Sequence, residues 1–140
     1  MPETFSHSFR VRYAEVDPQS VVFNSRYLEY ADLIITEYWR ECGLHFTGEG
    51  ALEFHVARAE VDFVKPIRAD EIVEGRARTA RIGRTSVETR IEFYGAQGPE
   101  DLRARIMLVH VHVDLDSGQP VVVPEAARKA LGRNEENEVV

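Results

Sequence analysis

A single cysteine, Cys42, is all that the 140 residues contain, so an internal disulfide and a cysteine-cluster zinc site are both excluded. Set among apolar helical neighbours, that thiol reads as a small core residue rather than a nucleophile. No apolar run approaches the roughly 18 residues of a membrane span. The start, MPETFSHSFRVRY, lacks the basic and apolar regions of a secretory leader. A cytoplasmic protein with no membrane attachment is therefore expected. Positive charge is scarce: 17 Lys and Arg stand against 24 Asp and Glu, giving a net charge of −7. That balance disfavours nucleic acid as the main partner, because phosphate binding is driven by cations. There is no G-x-S-x-G elbow, and neither Ser20 nor Ser25 has a histidine close in sequence, so a serine triad is not indicated. His110 and His112 share a strand face and could chelate, but no third ligand accompanies them, and His7, His45 and His55 follow no pattern. No metal and no cofactor is expected.

What is present reads as one α+β unit. The composition, 44% hydrophobic and 29% charged, is that of a globular domain, expected over residues 1–131 with a polar, frayed tail over 132–140. Phe5, Phe9, Val11 and Tyr13 alternate with Ser8, Arg10 and Arg12, which predicts a half-buried strand. Pro18 then enforces a loop. Tyr27, Ala31, Ile34, Ile35, Tyr38 and Cys42 form one stripe of a helix over about 25–42, with Asn24 as N-cap and Gly43 at its C-terminal end. Strands follow over about 54–65, 70–82, 85–96 and 103–115, the last with Met107, Val109, Val111, Val113 and Leu115 on one face. Short links between them favour antiparallel neighbours, and a short helix is expected beyond Pro124. One long helix can cover only one face of such a sheet. The sheet's other face, and exposed apolar residues such as Trp39, invite a second copy of the chain, as a homodimer or a dimer-of-dimers homotetramer.

The stretch RYAEVDPQSVVFNSRYLEYAD resembles the hotdog-fold acyl-CoA thioesterases, in particular the 4-hydroxybenzoyl-CoA thioesterase-like branch. Asp17, Val21, Val22, Phe23 and Tyr27 fall on that branch's pattern of an acidic loop, an apolar triplet and a helix carrying tyrosine. VDFVKPIRADEI and RIGRTSVETRIEFY are similar to its next strand end and hairpin. The chain departs from the family at Ser20, where glycine is usual and would permit positive φ or close backbone approach.

The resemblance implies a hotdog fold, in which a sheet of about five antiparallel strands wraps one long helix, and hydrolysis of acyl-CoA to acid and coenzyme A. It implies that the helix start, near the Asn24 backbone N–H, polarises the thioester carbonyl, which suits the free amides and partial positive charge there. Asp17 would then attack the carbonyl carbon or take a proton from an attacking water. Phe23 and Tyr27 would line the acyl pocket with side chains of a partner subunit. Gly83, Arg84, Thr85 and Ser86 would carry the pantetheine arm. Read without the resemblance, Asp17 is a turn former before proline, Glu15 a rim charge, Glu29 and Asp32 a solvated helix face, and the arginines around the hairpin a charge-blunted sheet edge. The alternative function is a binding or sensor protein that holds an acyl thioester without turnover. A dehydratase would need a histidine paired with an acid in a motif that is not found.

Overall fold

A computed structural model describes residues 4–132; all but the first residue of the expected tail lies outside them. The elements run β1 (Phe5–Arg10), a 3-10 turn (Tyr13–Glu15), α1 (Arg26–Glu41), β2 (Phe54–Phe63), β3 (Ile72–Ile82), β4 (Ser86–Tyr94), β5 (Leu102–His112) and α2 (Glu125–Gly132). All strand pairs are antiparallel, in the spatial order β1-β3-β4-β5-β2. β1 and β2 are therefore the edges.

The period-2 pattern decides which side chains meet the helix. Val73, Ala77 and Thr79 of β3, Val87, Thr89, Ile91 and Phe93 of β4, and Ala104, Ile106 and Leu108 of β5 are all buried, as are Tyr27, Tyr30, Ala31, Ile34, Ile35, Tyr38 and Trp39 of α1. Helix α1 lies so close over β3 that Gly75 is needed there: a Cβ would stand 2.5 Å from both Ile34 Cγ1 and Cδ1. One buried polar link, Tyr38 Oη to Thr79 Oγ1 at 2.8 Å, crosses this interface. The helix stops as Gly43 (φ +84°) turns left-handed. Leu44 N–H then reaches Trp39 O at 3.0 Å and Gly43 N–H reaches Arg40 O at 3.0 Å, a Schellman closure. No helix among the described residues is long and apolar enough to cross a membrane.

Four local expectations are corrected. The helix N-cap is Ser25 rather than Asn24 and makes no side-chain capping bond. Tyr13 leaves the strand in the 3-10 turn and is 87% exposed. Met107, Val109 and Val111 share a face, opposite the buried Ile106 and Leu108, but β5 ends at His112, so Val113 and Leu115 lie beyond the strand. Trp39 is 1% exposed, not a surface residue: the loop after α1 returns and stacks Phe46 on it, centroids 5.6 Å apart. Exposed apolar area gathers instead along edge strand β2 and just beyond it, at Val56, Phe63 and Val64.

Gly75→Ala is expected to destabilise the protein by about 1–3 kcal/mol, the usual cost of overpacking a filled core. Urea unfolding checks this, and an unchanged midpoint would mean that Ile34 moves freely aside.

Candidate active site

The site begins with a tight turn. Ser20 N–H closes it on Asp17 O at 2.8 Å, and Asp17 N–H continues the pairing to Val21 O at 2.9 Å. Aspartate at the first and proline at the second position are favoured in such turns. The Asp17 carboxylate adds an Asx bond, Oδ1 accepting from Gln19 N–H at 2.8 Å. Ser20 has φ +66°. It therefore takes the left-handed conformation that glycine adopts without strain.

Val21 and Val22 run from this turn to the helix. Val22 pairs with Val16 on one side and donates to Ile67 O at 2.8 Å on the other, while Val21 bridges Arg68. Phe23 N–H is taken by Glu15 O at 3.1 Å, and Arg26 N–H by Phe23 O at 2.9 Å. The amides of Asn24 and Ser25 receive no acceptor among the described residues. They stand at the positive end of a 16-residue helix. Asn24 also bounds a pocket of about 300 Å³, with Val21, Val22, Tyr27, Phe63, Val64, Pro66 and the charged Lys65 around it. Tyr27 meets Phe63 edge to face at 4.9 Å.

Glu15, expected as a rim charge, is buried. Its Oε1 accepts from Arg12 N–H at 2.8 Å and from Tyr30 Oη–H at 2.9 Å, and its Oε2 from Arg12 Nη2 at 2.6 Å. Burial opposes its ionisation, but the Arg12 amide and guanidinium and the Tyr30 hydroxyl outweigh that and hold the carboxyl below its usual range. Glu15 thus fixes the outer end of the Asp17 loop to α1.

The opposite wall of the pocket depends on Arg103, which the sequence pattern did not single out. The residue is 7% exposed. Its five N–H groups are all used: Nη1 to Pro66 O (2.9 Å) and Glu71 Oε2 (2.8 Å), Nη2 to Glu71 Oε1 (2.9 Å) and Asp101 Oδ2 (3.1 Å), and Nε to Asp101 Oδ1 (2.9 Å). Lys65 adds an ion pair to Asp101 at 2.6 Å. Arg103 depresses the Glu71 pKa, and Arg103 with Lys65 depresses that of Asp101. By strand alternation Arg103 reads as an outward residue beside Arg105; the overlying 64–71 segment, with Asp101 and Gly95, covers it.

Of the residues expected to form the site, the structure gathers Asp17, Asn24 and Tyr27 around one end of the sheet. Asp17 is partly exposed and sits beside the pocket through its bond to Val21. Phe23 is half exposed and does not bound the pocket. Gly83, Arg84, Thr85 and Ser86 form the β3–β4 hairpin, at the opposite end of the sheet: β1 delivers the Asp17 loop beside Ile72, whereas the hairpin follows Ile82. Eleven residues of β3 separate the two, about 35 Å at strand rise. One chain does not bring them together.

Ser20→Gly is expected to raise stability by about 0.5–1 kcal/mol by relieving the left-handed serine, read as a shift in urea midpoint; a loss would show that the hydroxyl is needed. Arg103→Met should cost on the order of 3 kcal/mol, because it strands buried carboxylates, and Arg103→Lys should restore little without the forked guanidinium. The depressed Glu15, Glu71 and Asp101 stabilise the fold above the ordinary carboxylate range near about 4. Their contribution is lost as pH falls through their lower folded values, so wild type should lose stability in acid more steeply than Arg103→Met. Parallel acid profiles would remove the clamp from that account.

Comparison with known proteins places the chain's fold. The Thioesterase superfamily profile matches residues 19–102, beginning just after Asp17. No curated protein matches the chain. Among solved structures, the PA5185 protein from Pseudomonas aeruginosa is 26% identical, covering 94% of this chain and 91% of its own, with TM-score 0.84. A thioesterase from Thermus thermophilus, complexed with coenzyme A and Zn, is 28% identical over 90% of this chain and 95% of its own, with TM-score 0.78. A 1,4-dihydroxy-2-naphthoyl-CoA thioesterase from Synechocystis shares the fold at 18% identity, covering 93% and 96%, with TM-score 0.83. With its family profile matched over more than half its length and its five strands curled about α1, the chain belongs to the thioesterase superfamily and has the hotdog fold.

Proposed function

We propose that the protein hydrolyses an acyl-CoA thioester to a carboxylic acid and free coenzyme A, with Asp17 as the reacting carboxylate. The observation that carries this reading is the unpartnered backbone amide of Asn24, a residue that lines a mainly apolar pocket, with Asp17 bonded through its N–H to Val21 of the same lining. Attack on a thioester carbonyl builds negative charge on its oxygen. A helix start whose amides are already oriented stabilises that charge without reorganising. The Asp17 carboxylate either adds to the carbonyl carbon, expelling the coenzyme A thiolate and leaving a mixed anhydride for water to cleave, or takes a proton from the water that adds. Its Oδ1 is held by Gln19 N–H, and Oδ2 has no hydrogen-bond partner among the described residues. Support for coenzyme A as the carrier comes from the Thermus relative, whose structure contains it.

The opposed placement of the Asp17 loop and the Gly83–Ser86 hairpin bears on assembly. A ligand touching both sets would have to span two copies of the chain. Edge strand β2 offers the means: ten residues long, mostly exposed, with Val56 and Phe63 uncovered, it is free to pair with a second β2. Two-fold antiparallel pairing places the Phe63 end of one protomer beside the Phe54 end of its partner, which is the hairpin end. The working unit is then a homodimer, or a tetramer built from dimers, with the acyl pocket completed across the interface.

The alternative, a protein that binds an acyl thioester without turnover, is favoured by the Asx bond, since a plain turn former would make the same contact. A thiol-release assay over a panel of acyl-CoAs separates the two, because a sensor yields no thiol. Asp17→Asn should lower turnover at least about 10²-fold while keeping its unfolding midpoint, because asparagine preserves the Oδ1 acceptor of the turn. Equal rates for the two proteins would remove Asp17 from the reaction. Sedimentation should give a dimer or tetramer of the 16.0 kDa chain, and an active monomer would overturn the composite site.

A further inference from the structure

The face of the sheet turned away from α1 carries two neighbouring rows of opposite sign. Across β4, β5 and β2, one row runs Arg90, Met107, Glu60 and the next Glu88, Val109, Arg58. Cross-strand partners share a face, and the row between these two, Thr89, Leu108 and Ala59, points the other way, with Thr89 and Leu108 buried in the core. The first row reads positive, apolar, negative; the second reads negative, apolar, positive. Within the chain the charges already meet two by two, Arg90 with Glu88 at 3.3 Å and Arg58 with Glu60. Such pairs alone describe a solvated face. Between them, Met107, Val109 and Val111 form a half-buried apolar strip, and an apolar centre with charged flanks is the anatomy of an interface.

Sign inversion between adjacent rows is what a two-fold contact needs, since a patch that meets its own copy must complement itself. A two-fold axis perpendicular to the strands, at the level of Leu108, lays one sheet on another with their strands antiparallel. It sets Arg90 on the partner's Glu88, Met107 on the partner's Val109 and Glu60 on the partner's Arg58, and each contact occurs twice. An axis along the strands between β4 and β5 fails the same check, because Arg90 then falls on Met107 and Glu88 on Val109. One like-charged contact remains in the favoured arrangement, Arg78 with the partner's Arg81. Both belong to β3, two strands from the centre, where a sheet curled around α1 falls away from its neighbour.

We propose that this outer face binds a second copy of the chain through that contact. The area suffices: five strands about 4.8 Å apart, each about ten residues at about 3.3 Å, cover up to about 800 Å², the share of one partner in a standard stable interface. The axis is also the one that β2 edge pairing requires. Full overlap of two ten-residue β2 strands puts their two-fold between Arg58 and Ala59, and Ala59 pairs with Leu108. The two axes cross at right angles on one level, so the assembly closes as a tetramer of D2 symmetry rather than growing into a fibre. The tetramer rests on the proposed β2 pairing; the face contact does not, and neither involves Asp17.

Sedimentation equilibrium of the full chain in low salt should give four chains of 16.0 kDa. Glu88→Arg with Glu60→Arg makes both rows wholly positive, and Arg90→Glu with Arg58→Glu makes them wholly negative. Each double variant alone should sediment at half the wild-type mass, and an equimolar mixture should regain it, because only unlike faces then meet. Met107→Lys, which sets a charge on the partner's Val109, should also halve the mass. A wild type no heavier than the variants, or double variants that keep the wild-type mass, leaves the face to solvent or to another partner and overturns the proposal. So does a mixture that fails to regain the mass although both members are folded by circular dichroism. Where either is unfolded, Met107→Lys decides, and its keeping the wild-type mass overturns the proposal. Sedimentation needs no turnover, so failure here leaves the hydrolase reading standing, and an inactive tetramer does the reverse.

Discussion

The Arg103 guanidinium fixes the part of this fold on which the site rests. With every N–H engaged, it joins the start of β5 to the 64–71 segment through Pro66 and Glu71. That segment supplies Val64, Lys65 and Pro66 to the pocket and, through Ile67 and Arg68, holds Val21 and Val22 in register. The helix start is thereby held from below by the sheet and from outside by Glu15. A buried ion group of this kind adds little net stability over an apolar substitute. What it provides here is geometry, because a guanidinium fork accepts few alternative arrangements of three partners.

The two ends of the sheet divide the molecule's chemistry. At one end lie the Asp17 turn, the open amides of Asn24 and Ser25, and the apolar pocket. At the other lies the β3–β4 hairpin. The connection is topological: β1 and β3 run antiparallel, so the chain enters α1 at the Ile72 end of β3 and must travel the length of the sheet before it turns back. In the proposed hydrolase, a substrate as long as an acyl-CoA would use both ends most directly in an assembly where two such sheets run antiparallel side by side.

Much of this was legible in the residues. The stripe from Tyr27 to Cys42 and the alternation of Val87, Ile91 and Phe93 each have one packing solution, since a helix stripe and a strand face must be buried together. The Asp-Pro turn was legible too, for its residue types are those a tight turn selects. Buried charge was not. Glu15 and Arg103 look like solvated residues because alternation reports the face of a strand but not what later crosses over it. Trp39 escapes the pattern for the same reason: helix periodicity leaves it beside the core stripe, and only the returning Phe46 loop covers it.

The sequence by itself determined the order of elements, the antiparallel sheet, the buried helix face and the turn that delivers Asp17 to the helix start, because all of these follow from local periodicity and short-range backbone preference. Tertiary structure alone decided that Glu15 is capped by Tyr30, that Arg103 is clamped by Glu71, and that the hairpin lies a full strand away from Asp17. Those depend on contacts between residues far apart in the chain. No local pattern encodes such distances, and only closing the sheet around α1 sets them.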